Sequence, residues 1–383
     1  MSGILRVGFD ARWYNCSGVG TYVAELLRAL TGLQEALEFV VYEDRKNPVP
    51  AALGERVVRV PVDSSKYSLA RQFELRRHGK SEKLDLFHCP FYAAPLLLSC
   101  PLVVTIHDLI PFLFRVSPLP KQTLIKAGYR IAAFRAHHVI TDSMNTARDV
   151  ARILKVVPTR ITAVHCASSP SLFHSRSGPA ELARLVENYA VRPPYVVVAS
   201  AVNWRTKNLE AAFRALALGR RKSGIDFQTI VYGPEDGLRA LSIPPSTPEL
   251  NIRHVGYLPA IDLGALFRNA QLFLMPSLYE GFGLPVLEAM ACGCAVITSN
   301  AGSLAEVAGS GAQTFAPPDV EGMAEAVVRL LTCPEEARKW KGLASKRASE
   351  FSWERAAKET AAVYRRVYHD SHHSPGGRSS DSK

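Results

Sequence analysis

The sequence predicts an α/β protein with two domains, each a doubly wound parallel sheet of the Rossmann type. Short runs rich in Val and Ile alternate with amphipathic segments along the chain, which is the pattern of βαβ units. This pattern stops in a stretch rich in Ser, Pro and Gly near residues 170–190 and then restarts. A chain of 383 residues is also about twice the size of a typical domain. We therefore expect two sheets that face each other across a cleft, with ligands at the carboxyl ends of their strands.

The first predicted domain spans residues 1–175. Six of its segments have strand character, and in chain order they read ILRVGF, EFVVYE, VVRV, LVVTI, HVIT and ITAV. A helix follows the first strand, because four apolar residues recur at the spacing i, i+3, i+4 and i+7: Val23, Leu26, Leu27 and Leu30. Asp142 and Ser143 offer side-chain caps for a later helix, MNTARDVARIL.

The second predicted domain spans residues 190–350, and its strands read YVVVAS, FQTIVY, IRHV, LFLM and CAVIT. A last helix is predicted over residues 351–369, with one apolar face formed by Trp353, Ala357, Ala361 and Tyr364. Residues 370–383 lack apolar anchors, so we predict a disordered tail.

Composition narrows the class of protein. The chain is 47% apolar and 21% charged, as in ordinary globular proteins, and its seven cysteines are scattered, which favours reduced thiols in the cytoplasm. The net charge is +11, and most of that excess lies in residues 1–168, which would attract polyanions or an anionic membrane surface. No nucleic-acid-binding motif accompanies this charge, so a nucleic-acid partner is not expected. With no signal pattern and no apolar run of about 18 residues, we expect a soluble cytoplasmic protein, and peripheral contact with the inner face of the membrane stays open.

Two loops of the first domain carry candidate ligand-binding residues. Gly18 and Gly20 follow a strand and open a helix, a position where backbone N–H groups can cradle a phosphate, although a plain tight turn has the same pattern. His107 and Asp108 end the strand VVTI and can hydrogen-bond sugar hydroxyls. The alternative is a capping Asp and a His bonded to the backbone.

Two loops of the second domain carry charged candidates. Arg205 and Lys207 lie between a strand and a helix and can neutralise a leaving diphosphate, although a solvated basic loop is the alternative. Glu280 and Glu288 flank a Gly-Phe-Gly turn in SLYEGFGLPVLEAMACGCAVI, where Pro285 suits the start of a helix. Taken alone, the two glutamates are better explained without a function: one lies in a solvated loop, and the other lies in a first helical turn, where the helix dipole favours negative charge.

The motifs together resemble those of the retaining glycosyltransferases of family 4, which have the two-domain architecture called GT-B. The E-x7-E motif of the family is matched by Glu280 and Glu288. The segments GVGTYVAELLRAL, HDLIP, R-x-K-N-L and GSLAEVAGSGA occur in the family's order, so the resemblance covers roughly residues 4–365.

The resemblance implies a role for each matched residue. Glu288 would hydrogen-bond the ribose of a nucleotide sugar, while Glu280 would hold the donor sugar's hydroxyls. Arg205 and Lys207 would bind and stabilise the leaving diphosphate, and His107 would lie beside the donor sugar and the acceptor. The remaining donor-binding positions are backbone groups of the two glycine loops, at Gly18, Gly20, Gly281, Phe282, Gly283 and Leu284. The helix over 351–369 resembles the one that crosses back to pack on the first domain.

The predicted reaction is hexosyl transfer from a nucleotide-diphosphate sugar, with an α-linkage formed from an α-donor. The resemblance favours mannosyltransferases of surface-polysaccharide synthesis that use GDP-mannose. A UDP-sugar donor, or an epimerase or hydrolase on the same fold, remains an alternative. The chain has no D-x-D sequence, so we expect no metal and no other cofactor, and Arg205, Lys207 and helix dipoles would take over the metal's task.

The acceptor is predicted to be a saccharide or lipid-linked saccharide bound by the basic first domain. Four cations lie on one predicted helix with an apolar side, KQTLIKAGYRIAAFRAHH: Lys121, Lys126, Arg130 and Arg135. A basic amphipathic helix can rest on an anionic membrane. An ordinary surface helix with one buried face is the alternative.

Overall fold

The chain folds into two compact units, and the second unit begins earlier in the sequence than the pattern predicts. The computed structural model describes residues 4–14, 17–50, 53, 56–64, 68, 70–202, 204–241 and 249–373. Unit 1 contains Met1–Cys166 and Trp353–Lys383, and unit 2 contains Ala167–Ser352. The Ser- and Pro-rich stretch that the sequence pattern assigns to a linker thus belongs to unit 2.

Unit 1 is built on a parallel sheet of seven strands in the order β3-β2-β1-β4-β5-β6-β7. The strands are β1 (Leu5–Asp10), β2 (Leu37–Asp44), β3 (Val57–Val62), β4 (Leu86–Cys89), β5 (Leu102–Ile106), β6 (His138–Thr141) and β7 (Ile161–Ala163). The order reverses between β1 and β4, and ligands of open α/β sheets bind at such a reversal, beyond the carboxyl ends of the strands.

The helices of unit 1 include one from the far end of the chain. They are α1 (Ser17–Thr31), α2 (Ala70–Ser81), α3 (Ile110–Leu113), α4 (Leu119–Arg135), α5 (Met144–Leu154) and α15 (Trp353–His373). The predicted stripe of α1 is fully buried, and so is the predicted apolar face of α15, which packs on α1 and contacts β4. Tyr364 of α15 is hydrogen-bonded at 2.6 Å to His88, the buried histidine of β4. Burial of this apolar face stabilises the packing of α15 on unit 1, although α15 follows unit 2 in the sequence.

Unit 2 is built on a parallel sheet of six strands in the order β10-β9-β8-β11-β12-β13. The strands are β8 (Tyr195–Ala199), β9 (Gln228–Tyr232), β10 (Ile252–Gly256), β11 (Leu272–Met275), β12 (Ala295–Ser299) and β13 (Gln313–Phe315). Its helices are α6 (Glu181–Tyr189), α7 (Trp204–Lys207), α8 (Leu209–Ser223), α9 (Asp236–Ala240), α10 (Ala260–Asn269), α11 (Leu284–Ala291), α12 (Leu304–Ala308), α13 (Val320–Thr332) and α14 (Pro334–Ala348). The two doubly wound sheets confirm the predicted fold class.

Three details differ from the sequence prediction. Strands β4 and β13 carry no run of β-branched residues, since they read LFHC and QTF, and the sequence pattern misses both. Helix α15 continues to His373, so it includes four residues that the sequence assigns to the disordered tail. The rest of that tail, residues 374–383, lies outside the described residues.

Two further observations concern cysteines and membrane spans. Six cysteines lie in the described ranges and all are free thiols: Cys89, Cys100, Cys166, Cys292, Cys294 and Cys333. Over those same ranges, no helix has both the length and the apolar content that a bilayer crossing requires.

Candidate active site

The glycine turn before α11 is held in place by the start of α12. The single hydroxyl hydrogen of Ser303 is shared between two carbonyl oxygens, which lie 3.0 Å (Glu280) and 2.7 Å (Phe282) from its Oγ. Gly302 has φ +60°, and a Cβ there would lie 2.8 Å from the Glu280 carbonyl oxygen. Gly283 has φ +101° and caps α11, where a Cβ would lie 2.7 Å from Leu304. Both glycines are therefore required by the backbone and by close packing, and they fix the position of Glu280.

Lys207 and Glu280 form an ion pair. The Lys207 Nζ lies 2.8 Å from the Glu280 Oε1, and the two side chains are only 11% and 13% exposed. Helix α7 is tied to the loop after β11, because Leu278 donates its N–H to the carbonyl of Thr206 at 2.7 Å. The structure thus joins two of the predicted site residues directly, although they lie far apart in the sequence.

Arg205 does not take part in this pair. Its guanidinium lies 4.8 Å from the ring centroid of the neighbouring Trp204, and its side chain is exposed. Within the described residues it has no carboxylate partner. Of the two predicted diphosphate-binding cations, Lys207 is therefore fixed beside Glu280, while Arg205 is held against an indole ring.

Glu288 lies on α11, and its half-buried carboxyl group has no hydrogen-bond partner among the described residues. Burial raises the pKa of Glu288 to about 7. A carboxyl group with that pKa is partly protonated at neutral pH, and desolvation without a partner is the physical cause. An unpaired carboxylate at a strand-to-helix junction can accept hydrogen bonds from ligand hydroxyls.

Tyr232 is a site residue that the sequence reasoning missed. It ends β9, and its buried hydroxyl has no hydrogen-bond partner within the described ranges. Burial, followed by the charges of Glu288 and Glu280, raises the pKa of Tyr232 well above its ordinary value. Both carboxylates therefore lie near this hydroxyl. A polar ring at the carboxyl end of a strand, before the Gly-Pro turn in VYGPED, was the signal available in the sequence.

In unit 1, both ring nitrogens of His107 are occupied. Nδ1 lies 2.6 Å from the Asp142 carboxylate, and Nε2 lies 2.9 Å from the carbonyl oxygen of Pro90. Both partners accept hydrogen bonds only, so the ring has to carry a proton on each nitrogen. Burial lowers the pKa of His107, but the Asp142 charge and hydrogen bond outweigh it and the net pKa is raised. The doubly protonated form of His107 is thus favoured, and the Nε2 atom can reach a sugar hydroxyl only by giving up its hydrogen bond to Pro90.

Asp108 matches the alternative considered for its segment, because it accepts a hydrogen bond from the Ile110 N–H at 2.9 Å. Asp142, which the sequence suggested as a helix cap, instead binds His107, and Ser143 caps α5 by accepting from the Thr146 N–H. His107 is also in edge contact with Tyr22 of α1, with ring centroids 4.8 Å apart.

The glycine loop of unit 1 is described only from Ser17 onward. Gly18 lies in the first turn of α1, is exposed, and has no atom within 4 Å of where a Cβ would stand. Packing therefore does not require a glycine there, and the open space permits close approach of a ligand to the backbone. Gly20 lies in the same turn and is buried.

A second missed feature is a buried ion pair at the carboxyl end of β1. Asp10 and Arg12 are joined at 2.6 Å with side chains 0% and 1% exposed. Burial raises the pKa of Asp10, but the Arg12 guanidinium outweighs it and holds that pKa below its usual value. The Nη1 of Arg12 has no hydrogen-bond partner within the described residues. This leaves a buried donor at the edge of the sheet where ligands of such folds bind.

Comparison with known proteins gives consistent matches along the chain. The family profile described as "Glycosyl transferases group 1" matches residues 184–347, and that described as "Glycosyltransferase Family 4" matches residues 16–171. The chain is 27% identical over 376 residues to the O-antigen chain mannosyltransferase B of Escherichia coli, covering 92% of this chain and 97% of that protein.

Solved structures share the fold at lower sequence identity. Sucrose-phosphate synthase from Thermosynechococcus elongatus superposes with a TM-score of 0.75 at 20% identity, covering 96% of this chain and all of that one. Anabaena HepE in complex with UDP-glucose has a TM-score of 0.73 at 16% identity, covering 94% of this chain and all of that one.

Proposed function

The chain belongs to glycosyltransferase family 4 and is a hexosyltransferase on the GT-B fold, and from this premise we propose that it transfers mannose from GDP-mannose. In this proposal the acceptor is a saccharide or lipid-linked saccharide, and the anomeric configuration is retained. The observation that carries the proposal is the Lys207–Glu280 pair beside the unpaired carboxyl group of Glu288. The mannosyl donor is supported by the E. coli relative, whose name specifies mannosyl transfer to O-antigen chains.

Donor binding, in this proposal, exchanges the partner of Lys207. The diphosphate accepts hydrogen bonds from the Lys207 ammonium, and Glu280 is released to accept hydrogen bonds from the donor sugar. Exchange of one anionic partner for another keeps the half-buried ammonium paired throughout, which avoids the cost of an uncompensated charge. Glu288 accepts hydrogen bonds from the ribose hydroxyls, and the exposed Arg205 turns from Trp204 to the diphosphate.

The chemical step separates charge between the sugar and the leaving group. The bond from the anomeric carbon to the diphosphate oxygen breaks while positive charge builds on the ring. The acceptor hydroxyl attacks from the same face, and its proton passes to the departing phosphate oxygen. Lys207 and Arg205 stabilise the negative charge on that oxygen, a preorganised electrostatic effect that is usually the largest catalytic contribution. The chain has no D-x-D sequence, and in this proposal these cations replace a metal ion.

Incubation with a panel of nucleotide sugars and saccharide acceptors tests the reaction. We expect GDP release only with GDP-mannose and acceptor together, unchanged by EDTA, and an α-linkage by the one-bond C1–H1 coupling in NMR. A β-linked product would overturn retention of configuration. Transfer that occurs with a UDP-sugar and not with GDP-mannose would favour the alternative of a UDP-sugar donor. The fold similarity to HepE, which was solved with UDP-glucose, supports that alternative. Nucleotide release without acceptor would indicate a hydrolase, and conversion of the donor sugar to its epimer would indicate an epimerase.

Helix α4 supports contact with a membrane. Its buried face is formed by Gln122, Tyr129, Ala132 and Ala133. A second, apolar face points to solvent, where Leu124, Ile131 and Phe134 are 74%, 46% and 83% exposed. The helix therefore departs from the alternative of an ordinary surface helix with one buried apolar face, because Leu124, Ile131 and Phe134 lie outside the core. Exposed Lys121, Arg130 and Arg135 on the same helix complement anionic lipid headgroups.

We expect Phe134→Ser to reduce sedimentation of the protein with vesicles of phosphatidylcholine and anionic phosphatidylglycerol by several fold, because burial of one aromatic side chain in the interface is lost. Ile261→Ser is the matched control, since Ile261 is 55% exposed on α10 of unit 2. Equal binding of both variants and the parent, or no binding by the parent, would exclude α4 as a membrane contact.

A further inference from the structure

Two hollows of opposite chemistry adjoin on the surface of unit 1. The apolar groove has a volume of about 750 Å³ and is lined by Leu96, Leu97, Arg130, Ile131, Phe134 and Arg135. The cationic pocket has a volume of about 670 Å³, and the residues that matter here are Phe134, Arg135, His137, Arg160, Arg366 and Asp370. Phe134 and Arg135 line both, so the groove and the pocket are adjacent and share one wall.

The cationic pocket has a positive electrostatic field. Three arginines and two histidines line it against one carboxylate, that of Asp370. Burial, followed by the charges of Arg366 and Arg160, lowers the pKa of His138 to about 4, and the opposing effect of Asp370 is the smallest contribution. His137 also has a lowered pKa, through burial and then the charges of Arg160 and Arg135. The histidines are thus neutral at pH 7, and the arginines supply the positive charge.

The pocket contains fixed guanidinium groups and one unpaired cation. Arg160 donates to the carbonyls of Ala136 and His137, and Arg135 donates to the Leu96 carbonyl at 3.0 Å. These bonds hold both side chains in place while leaving further N–H donors unused. Arg366, on the exposed side of α15, has no hydrogen bond or ion pair within the described residues. Its neighbour Arg365 is paired with Glu35.

The position in the fold separates this pocket from the proposed reaction. His138 begins β6 and Arg160 directly precedes β7, so the pocket lies at the amino edge of the parallel sheet. His107 and Asp142 follow β5 and β6 at the carboxyl edge. The length of β6 puts roughly 13 Å between the two edges. An occupant of the pocket is therefore not the reacting sugar.

We propose that the groove and the pocket together bind one molecule of anionic phospholipid, with its phosphate among Arg135, Arg160 and Arg366 and the first part of an acyl chain along Leu97, Ile131 and Phe134. A free phosphate would leave the apolar groove empty, and an apolar ligand would leave the cations unpaired. Only an amphiphile with an anionic head matches both. The inference rests on the membrane contact proposed for α4, and it adds a specific headgroup site to that contact.

Titration of the full chain with a water-soluble dihexanoyl phosphatidylglycerol, below its micelle concentration, tests the site without a bilayer. We expect calorimetry to show binding that Arg366→Gln weakens by roughly tenfold, since one charge-assisted hydrogen bond to phosphate is lost. Phe134→Ser should weaken it as well. Arg365→Gln removes the same charge from the adjacent position of the same helix and should leave binding unchanged.

Inorganic phosphate and bilayer vesicles are the other two probes, and several results would overturn the proposed site. Inorganic phosphate binding as tightly as the lipid would show a plain anion pocket. Equal losses in Arg366→Gln and Arg365→Gln would show a general charge effect, and absence of lipid binding would remove the proposal altogether. Sedimentation with bilayer vesicles separates the two inferences. Vesicle binding that Arg366→Gln leaves intact would retain the α4 contact and reject the pocket, whereas soluble-lipid binding without vesicle binding would retain the pocket alone.

Discussion

Lys207→Met is expected to lower turnover at saturating donor by about a hundredfold to a thousandfold, the usual effect of removing one preorganised donor from a developing negative charge. The ammonium is fixed 2.8 Å from Glu280 in a site with little solvent, so its electrostatic effect is weakly screened. Steady-state kinetics with saturating GDP-mannose measures this change. Lys222→Met is the matched control, because Lys222 pairs with Glu325 on the exposed surface of unit 2.

The ion pair raises a second explanation for such a loss, because removal of Lys207 leaves the Glu280 carboxylate uncompensated. The double variant Lys207→Met with Glu280→Gln separates the two. The Glu280→Gln single variant is the reference, because Glu280 itself contacts the donor sugar in the proposal. If Lys207 only compensates Glu280, the double variant turns over as fast as Glu280→Gln alone. If Lys207 acts on the leaving group, the double variant regains stability but stays at least a hundredfold slower than Glu280→Gln. Turnover of Lys207→Met within threefold of the parent would reject the leaving-group role.

Glu288→Gln is expected to raise the KM for the donor roughly tenfold to a hundredfold with little change in kcat, because a charged acceptor for the ribose hydroxyls becomes a neutral one. The effect should depend on pH. The pKa of Glu288 is about 7, so the parent loses donor affinity as the pH falls from 8 to 6, whereas the KM of the variant stays flat. Glu187→Gln, at an exposed position of α6, is the control.

Glu288→Gln, which is expected to weaken donor binding, should raise the stability of the folded protein at pH 8. The folded-state pKa of Glu288 is raised above its unfolded value of 4.5, so the folded state binds the extra proton and stability falls as pH rises from 4.5 to about 7. The cost is fully present above pH 7 and is on the order of 3 kcal/mol. Thermal unfolding should therefore show Glu288→Gln more stable than the parent at pH 8 and equal to it near pH 4.5. If the donor KM depends on neither the substitution nor pH, Glu288 does not bind the ribose and its role is structural only.

Most of the fold could be predicted because buried parallel strands read as continuous apolar runs. The exceptions have identifiable causes. Strand β4 ends in His88 and Cys89, polar residues that become acceptable in the core only because Tyr364 and Thr105 bond the imidazole. Strand β13 has three residues, too few for a periodic pattern. Partners supplied from distant parts of the chain are not visible in a local pattern.

The candidate site was predictable in its residues but not in their pairing. Gly281, Gly283, Glu280 and Glu288 follow from one local motif, and the structure places them at one strand-to-helix junction. The bond between Glu280 and Lys207 depends on the docking of α7 against the loop after β11. Likewise, the hydrogen bonding of both ring nitrogens of His107 depends on Pro90, which follows the preceding strand, β4.

The return of α15 to unit 1 has a consequence for synthesis of the chain. Unit 2 is one uninterrupted segment, whereas unit 1 is interrupted by it and is completed only by residues from Trp353 onward. During translation, unit 2 can therefore reach its final fold while unit 1 still lacks the helix that covers α1 and bonds His88. The surface of unit 1 that α15 covers therefore stays exposed while the intervening residues are synthesised. During that time the nascent chain has the greatest need of a chaperone.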